Sequence, residues 1–176
     1  MSNRIIIVDN QDNPISLKER RTIGYQDIYR VAALWLTDIT SGDVLCAQRK
    51  WTKRSDPGKW ACAAAGTVDE GESYEQNILK ETAEEIGLTG ITFTTGPKQF
   101  VNDGAHQFFC QWFSSSVDRT QVTLKIQKEE VEAIEWIPVK DLIADVQANP
   151  DKYTIYTMDA LKLIGIIKDD GLRTAQ

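Results

Sequence analysis

Three glutamates are spaced so that they could act together on one side of a helix: Glu81, Glu84 and Glu85. At about 100° per residue, their side chains fall within an arc of about 100°. Like charges three or four residues apart destabilise a helix by roughly 0.2–0.5 kcal/mol per pair, and anions near its C-terminal end oppose the helix dipole. A purely structural helix gains nothing from this spacing, which therefore favours carboxylates that bind a cation.

The glutamates belong to an acidic segment, residues 66–88, which carries little positive charge of its own. Seven of its residues are acidic and only Lys80 is basic. A hard dication such as Mg²⁺ or Mn²⁺ binds several carboxylate oxygens and would neutralise such a cluster. For the helix alone, a solvated acidic surface is an equally good interpretation. The preceding loop, with Gly66 and Glu72, favours a metal bound with or before a phosphate ligand.

Local signals define the helix that carries the three glutamates. Ser73 is a favourable N-cap residue, and Gln76 three residues later completes a capping-box pattern. Gly87 is a natural C-terminal stop. The helix is therefore predicted to run from about Tyr74 to Ile86. Its core-facing residues are expected on the arc opposite the carboxylates: Leu79, Thr82, Ala83 and Ile86.

The rest of the sequence alternates between strand and helix patterns. Strands are predicted at residues 4–9, 29–39, 44–49, 60–66, 91–96, 106–116 and 131–137. Helices are predicted at about 138–148 and 154–167, with Pro150 between them. Several neighbouring strands are joined by short turns, which indicates an α/β fold with a mixed sheet and helices packed on its faces.

Length and composition limit the class of protein. The chain has 176 residues, which fits a single domain with a full core, and its net charge of −6 and pI of about 4.9 argue against nucleic-acid binding. No apolar run approaches the ~20 residues of a membrane span, and the N-terminal stretch is too polar for a secretory signal. Three scattered cysteines without metal-ligand spacing are typical of a reduced, cytoplasmic setting.

The acidic segment resembles the Nudix box, in which a glycine is followed after five residues by a glutamate and after seven more by R-E-U-x-E-E-x-G-U, where U is aliphatic. Gly66 and Glu72 stand at the first two fixed positions, and residues 80–88 read KETAEEIGL. Lys80 replaces the arginine, and a threonine replaces one aliphatic residue. The preceding P-G-x-W sequence and the later VEAIEWIPVKDL segment extend the resemblance over nearly all of residues 5–145.

The resemblance implies one Nudix domain over residues 1–176, folded as an α/β/α sandwich with a mixed central sheet. It comprises an N-terminal strand and extension at 1–28, the box at 66–88 and C-terminal helices at about 138–167. The implied activity is metal-dependent, MutT-like hydrolysis of the diphosphate in a nucleoside diphosphate linked to another group, X. Many relatives dimerise, so a homodimer is compatible with the resemblance, whereas no nucleic-acid or membrane partner is expected.

The resemblance also assigns roles to individual residues. Glu81, Glu84 and Glu85 correspond to the principal metal ligands and form the catalytic cluster, with Mg²⁺ or Mn²⁺ as the cofactor. Glu72 corresponds to an accessory ligand or a supporting group, and Gly66 to a glycine whose backbone often contributes a ligand. The general base is left open between Glu81, Glu85 and an acid of a later loop. The loop candidates are Glu129, Glu130 and Glu132.

Positive charge near the box is expected to orient carboxylates and to bind phosphates. Lys80 stands where the family's arginine orients a box glutamate. It lacks the planar, two-pronged guanidinium, so we expect Lys80→Arg to raise the rate or to tighten metal binding. The basic stretch 49–59 is expected to receive substrate phosphates through Arg49, Lys53 and Arg54. A solvated basic loop is the alternative interpretation.

Two other functions found with this fold are weaker alternatives. Isopentenyl-diphosphate isomerase resembles the chain over the same region, but its catalytic C-x-H stretch here reads Ala65, Gly66 and Thr67. The single histidine, His106, cannot supply the isomerase's metal site. Cys62 lies three residues before Ala65, so on a continuous strand its side chain would face the other way. A non-catalytic Nudix domain that binds a ligand is the other alternative, although such domains typically lose box glutamates that this chain retains.

Overall fold

The computed structural model describes residues 4–167, which form nine strands and three α-helices. The strands are β1 Arg4–Val8, β2 Pro14–Glu19, β3 Ile28–Asp38, β4 Val44–Arg49, β5 Trp60–Ala61, β6 Ala64–Thr67, β7 Thr94–Asn102, β8 Gln107–Val117 and β9 Val131–Ile137. The helices are α1 Tyr74–Ile86, α2 Val139–Ala148 and α3 Thr157–Leu163. Short 3-10 turns lie at Arg20–Thr22 and Pro150–Lys152.

Strand β3 is the centre of a single mixed sheet. β8 pairs with it in parallel from Ile28 to Asp38, along its full length. The other edge of β3 is shared by three antiparallel partners, β1, β6 and β4, in that order along the strand. β5 and β9 pair with β4, while β2 and β7 pair with β1 and β8. Because β6 pairs with the middle of β3, the chain enters the acidic segment at the centre of the sheet.

Helices cover both faces of the sheet. On one face, Trp35 of β3 packs with Leu142 of α2 and Leu161 of α3. On the other face, Leu34 packs with Ile78 of α1. Successive residues of a strand point to opposite faces, so β3 contributes to both cores. The predicted α/β/α sandwich with a mixed central sheet is therefore confirmed.

Two of the predicted strands differ from the structure. The strand predicted at 60–66 is interrupted after Ala61 and forms β5 and β6 instead. The strand predicted at 91–96 is wrong in position, since β7 begins three residues later and continues through Pro97. The proline is tolerated because β7 is an edge strand whose register with β8 shifts at this point.

The ends of the chain show further differences. β2 is not among the predicted strands. Its Ile15 and Leu17 alternate with polar residues, but the alternation covers only two apolar positions and all residues of the strand are exposed. The helix predicted at 154–167 is shorter than expected, since Gly165 adopts a left-handed φ of 76° just after α3. Within the described residues, no helix combines the length and apolar character that crossing a membrane requires. Residues 1–3 and 168–176 lie outside the described part, so a single domain over 1–176 stays a prediction.

Candidate active site

Helix α1 has the boundaries and the capping that its sequence predicts. Ser73 Oγ accepts a hydrogen bond from the Gln76 amide at 3.2 Å, and Gln76 Oε1 accepts one from the Ser73 amide at 2.8 Å. Gly87 ends the helix in the left-handed conformation, with a φ of 70°. Both ends of the helix are thus fixed, and with them the positions of its glutamates over β6.

The orientation of α1 differs from the predicted one. Leu79 is 42% exposed, although the sequence predicts it in the core. The buried residues of α1 are Asn77, Ile78, Thr82 and Ile86. Glu81 and Glu85 consequently lie against β6, whereas Glu84 is exposed. The three carboxylates therefore do not share one solvated face, and two of them belong to the side of the helix that packs on the sheet.

Glu85 is held against the backbone of β6. Its Oε2 atom accepts a hydrogen bond from the Ala65 amide at 3.0 Å. Burial is the main cause that raises the pKa of Glu85 to about 7, and the nearby negative charge of Glu81 acts in the same direction. A carboxylate in this environment is short of positive charge, which a bound cation would supply.

Glu81 stands directly over Gly66. A Cβ atom added at Gly66 would lie 2.2 Å from Cδ of Glu81, so only glycine leaves room for this carboxylate. Burial raises the pKa of Glu81, opposed by Lys80 and reinforced by the charge of Glu84. The glutamate thereby reaches the backbone of the residue that the Nudix resemblance assigns as a backbone ligand.

The donor atoms at this place suit a hard divalent ion. Carboxylate oxygens of Glu81 and Glu85, beside the Gly66 backbone, are the ligands that Mg²⁺ and Mn²⁺ prefer. Between residues 4 and 167, however, no three His, Cys, Asp or Glu side chains are gathered into a ready-made metal site. Of the other predicted ligands, Glu84 is exposed and Glu72 is engaged by neighbouring side chains.

Lys80 contacts the carboxylates that surround it. Its Nζ atom lies 2.7 Å from Glu72 Oε1, 3.1 Å from Asp69 Oδ2 and 3.8 Å from Glu81 Oε1. Hydrogen bonds from Lys80 and other donors lower the pKa of Glu72, although burial opposes them as the largest single effect. Lys80 thus makes the contacts expected of the residue that replaces the box arginine.

Three residues at the site are not identified by the motif: Arg20, Asp69 and Asn77. Arg20 Nη2 donates to Asp69 Oδ1 at 2.6 Å, which brings the N-terminal segment to the box. Asn77 Nδ2 donates to Glu72 Oε2 at 2.8 Å. A polar residue inside the buried pattern of α1 is a signal that could reveal Asn77. No local signal could reveal the contact of Arg20, which spans 49 residues of sequence.

The predicted phosphate-binding residues lie at the end of β4 and in the loop that leads to β5, but they have different surroundings. Arg49 donates to the Ser55 carbonyl oxygen from Nε at 3.1 Å and from Nη2 at 3.0 Å. Lys53 forms an ion pair with Glu130, one of the loop candidates for the general base. Arg54 is exposed in the same loop. Arg49 and Lys53 are therefore held in place by protein contacts, and Arg54 is presented to solvent.

A narrow cleft joins the basic loop to the glutamates. Arg49, Ala65, Glu85 and Glu130 contribute to its lining, together with Cys62. The prediction that Cys62 faces away from Ala65 is wrong, because the strand is interrupted between β5 and β6 and both side chains pack in the same core cluster. The Cys62 thiol is buried, and burial raises its pKa to about 12.

A larger cavity of about 410 Å³ lies near the C-terminal end of β8. Hydroxyl-bearing and apolar residues line it, and none of these lining residues is ionisable. Diphosphate chemistry requires charged groups, so the smaller cleft beside Glu85 is the better candidate for an active site.

Comparison with known protein families agrees with this architecture. The profile of the family described as "NUDIX domain" matches residues 28–158, from the start of β3 into α3. The chain therefore belongs to the Nudix domain family. The matched region contains α1, the basic loop and the cleft between them.

Individual relatives cover most of the chain. An uncharacterized Nudix hydrolase of Pseudomonas aeruginosa is 25% identical over 156 residues, which cover 89% of each chain. A prenyl-diphosphate phosphatase of Methanosarcina mazei is 31% identical over 152 residues, covering 84% of this chain and 86% of the relative. An isopentenyl-diphosphate Delta-isomerase of Salmonella arizonae is 23% identical, covering 83% and 82%.

A solved structure shows the same fold. The crystal structure of DR0079 from Deinococcus radiodurans superposes with a TM-score of 0.76 at 16% identity, covering 91% of this chain and 98% of that one. Together with the family match and the hydrolase relative, this similarity supports a Nudix-type hydrolase as the class of the protein.

Proposed function

We propose that this Nudix protein uses Mg²⁺ or Mn²⁺ to hydrolyse a diphosphate linkage, with water attacking one phosphorus atom. The observation that carries the proposal is the placement of Glu81 and Glu85 against the backbone of β6. Burial is the main cause that raises the pKa of both carboxyl groups, so a bound cation would favour their ionised forms. Glu81, Glu85 and the Gly66 backbone would hold the metal, with Glu84 and Glu72 as further ligands or supports.

The chemistry divides between the metal and the protein. A divalent ion bound at these residues would acidify a water molecule and screen the phosphate charges. The Ala65 amide fixes Glu85 Oε2, which leaves Oε1 to accept a proton from the attacking water. Glu81 is the second candidate for this base within the box. Glu130 is the loop candidate that lies at the cleft, whereas Glu129 is exposed beside it.

Positive side chains at the cleft bind the phosphates in this proposal. Arg49 lines the cleft, and burial, followed by the charge of Arg49, lowers the pKa of Lys53. An anion bound between the two side chains would offset the burial and the repulsion that disfavour the charged form of Lys53. Arg54, which is exposed, would contact a more distant part of the substrate.

Two substrate classes fit this chemistry. The Nudix resemblance implies a nucleoside diphosphate linked to another group, X. A prenyl diphosphate is favoured by the 31% identity to the Methanosarcina mazei prenyl-diphosphate phosphatase. Their products differ: the first class gives a nucleoside monophosphate and phosphorylated X, and the second gives a prenyl monophosphate and inorganic phosphate.

Two alternative functions have less support. Isomerase chemistry needs a reactive thiol and histidine ligands, whereas the cleft offers Cys62, whose thiol is buried and has a raised pKa. A non-catalytic ligand-binding domain has no need of the inward carboxylates of Glu81 and Glu85.

A substrate panel tests the proposal. ADP-ribose, a nucleotide sugar, isopentenyl diphosphate and geranyl diphosphate would be incubated with Mg²⁺, with Mn²⁺ and with excess chelator. Products would be separated by chromatography, and phosphate release would be measured. The proposal predicts metal-dependent formation of monophosphates from at least one class. Binding without turnover across the panel would favour the ligand-binding alternative, and isomerisation of isopentenyl diphosphate would favour the isomerase.

A further inference from the structure

Both carboxylate oxygens of Glu72 are held by side chains of α1. Lys80 Nζ donates to Oε1 at 2.7 Å, and Asn77 Nδ2 donates to Oε2 at 2.8 Å. The two donors are three residues apart on the helix, so they lie on the same side of it. Together they contact Glu72 as the two N–H groups of a single guanidinium would.

Asn77 can act only as a donor in this environment. Its amide nitrogen lies 3.1 Å from the Thr67 carbonyl oxygen and 3.4 Å from Glu81 Oε1, as well as close to Glu72. All three neighbours are acceptors, so the amide cannot be turned around. Asn77 is fully buried, and its Oδ1 atom has no hydrogen-bond partner within the described residues. That unpaired oxygen costs stability, so the benefit of the residue lies in its nitrogen.

We propose that Asn77 is a positioning residue which, together with Lys80, replaces the two-pronged arginine of the Nudix box. In this arrangement the pair holds Glu72 in its place beside Glu81. The inference rests on the proposed metal-dependent function, because the orientation of Glu72 matters for catalysis only if this cluster binds the metal.

These contacts reverse the expectation that Lys80→Arg improves the site. Glu72 Oε2 accepts a hydrogen bond from the Asp69 amide at 3.2 Å in addition to the one from Asn77. Because a carboxylate oxygen has two lone pairs, both acceptor positions of Oε2 are filled. The second N–H group of an arginine at position 80 finds a free acceptor position on Oε2 only when the Asn77 donor is removed.

The first experiment is a double-mutant cycle on metal binding. Mn²⁺ affinity would be measured by calorimetry on the metal-free parent, Asn77→Leu, Lys80→Arg and the double variant. Removal of a group that orients a ligand typically weakens metal binding by about 10-fold or more, and we expect about 10-fold for Asn77→Leu. Lys80→Arg alone should change affinity by less than about threefold, and in the Asn77→Leu background it should restore most of the loss.

A matched control removes a different buried polar group from the same helix. Thr82 is fully buried, and its hydroxyl donates to the Ile78 carbonyl oxygen of the same helix at 2.7 Å. Thr82→Val should leave Mn²⁺ affinity within about threefold of the parent. If Asn77→Leu weakens Mn²⁺ binding equally with lysine and with arginine at position 80, the proposal is overturned. It is also overturned if Thr82→Val weakens Mn²⁺ binding as much as Asn77→Leu does.

A second cycle needs no metal and so separates this inference from the proposed function. Urea unfolding of the metal-free parent, Asn77→Leu, Glu72→Met and the double variant gives the coupling between the two side chains, since methionine leaves no oxygen to accept the hydrogen bond from Asn77. We expect the effect of the double substitution on the unfolding equilibrium constant to differ by about fivefold or more from the product of the two single effects. If the double effect equals that product, Asn77 does not hold Glu72 and the proposal is overturned. Asn77→Ala would replace Asn77→Leu if the leucine variant does not fold. A parent that binds no Mn²⁺ would refute the proposed function, while this cycle would still decide whether Asn77 holds Glu72.

Discussion

Glu81 and Gly66 approach each other so closely that a Cβ atom at position 66 would stand 2.2 Å from the Glu81 Cδ atom. The position of this carboxylate beside β6 therefore depends on the absence of a side chain. Gly66 has no unusual backbone conformation that would by itself require glycine. The close approach thus connects one residue of the strand directly with the geometry of the candidate metal site.

Substitution of Gly66 by alanine tests this contact. We expect Gly66→Ala to lower turnover by about 100-fold, because a displacement of about 1 Å in a catalytic group can cost that much. Gly24→Ala is the matched control, since its Cβ would meet Asp27 Oδ2 at an ordinary 3.8 Å. Turnover would be measured at a temperature where urea titration shows each variant folded. A folded Gly66→Ala protein with parental turnover would refute the functional importance of the contact.

Arg49 is expected to act on substrate binding more than on the chemical step. It lines the cleft, so Arg49→Met should raise KM by about 10-fold, which corresponds to the loss of one charge-assisted contact. Lys50 is the control, because it is the next basic residue in the sequence and does not line the cleft. Its Nζ atom instead forms an ion pair with Glu132 at 2.8 Å. Steady-state kinetics of Arg49→Met and Lys50→Met would be compared. Equal increases in KM would indicate a general effect of loop charge instead of a contact at Arg49.

Cys62 distinguishes a hydrolase from a thiol-dependent isomerase. It lines the cleft, but burial keeps its thiol protonated by raising the pKa to about 12. Water is the nucleophile in the proposed reaction, so Cys62→Ala should retain turnover within about threefold once any loss of stability is allowed for. Hydrolysis and isomer formation would be followed together by product chromatography. Isomerisation of isopentenyl diphosphate by the parent and its loss in Cys62→Ala would show a thiol-dependent isomerase instead of a hydrolase.

Asp38 gives a prediction for stability in acid. Hydrogen bonds from the Arg119 amide, then from the Ser41 amide, hold the pKa of its carboxyl at about 2 in the folded protein. An unfolded aspartate has a pKa of about 3.9, so the stabilisation is complete above that pH and is lost as pH falls toward 2. Asp38→Asn should therefore be less stable than the parent at pH 6, with the difference shrinking at pH 2.5.

The measurement for Asp38 is urea unfolding of the parent and the variant at both pH values. Asp151→Asn, which alters an exposed aspartate, is the control for a general effect of charge. A destabilisation by Asp38→Asn that is equally large at pH 6 and pH 2.5 would show that the ionised carboxylate is not responsible.

The sequence predicts α1 and β9 to the residue, because caps, turns and period-two alternation are local signals. It does not predict which side of α1 faces the sheet. A simple amphipathic helix would place Asn77 and Glu85 in solvent, but Asn77 is buried and Glu85 points toward β6. Such departures from the packing pattern are expected at functional sites. The contact of Arg20 with Asp69 depends on tertiary structure and leaves no pattern in either segment.

Two glutamates of the same helix allow a direct test of whether Glu85 belongs to a metal-dependent active site. Glu85 is held against β6, whereas Glu75 is exposed in the first turn of α1. Turnover of parent, Glu85→Gln and Glu75→Gln would be measured on the best substrate of the panel, with Mg²⁺ and with excess chelator. We expect Glu85→Gln and chelator each to lower turnover by at least about 100-fold, while Glu75→Gln stays within about threefold. Full activity in chelator, or equal activity of the two variants, would contradict the assignment of Glu85 to a metal-dependent active site.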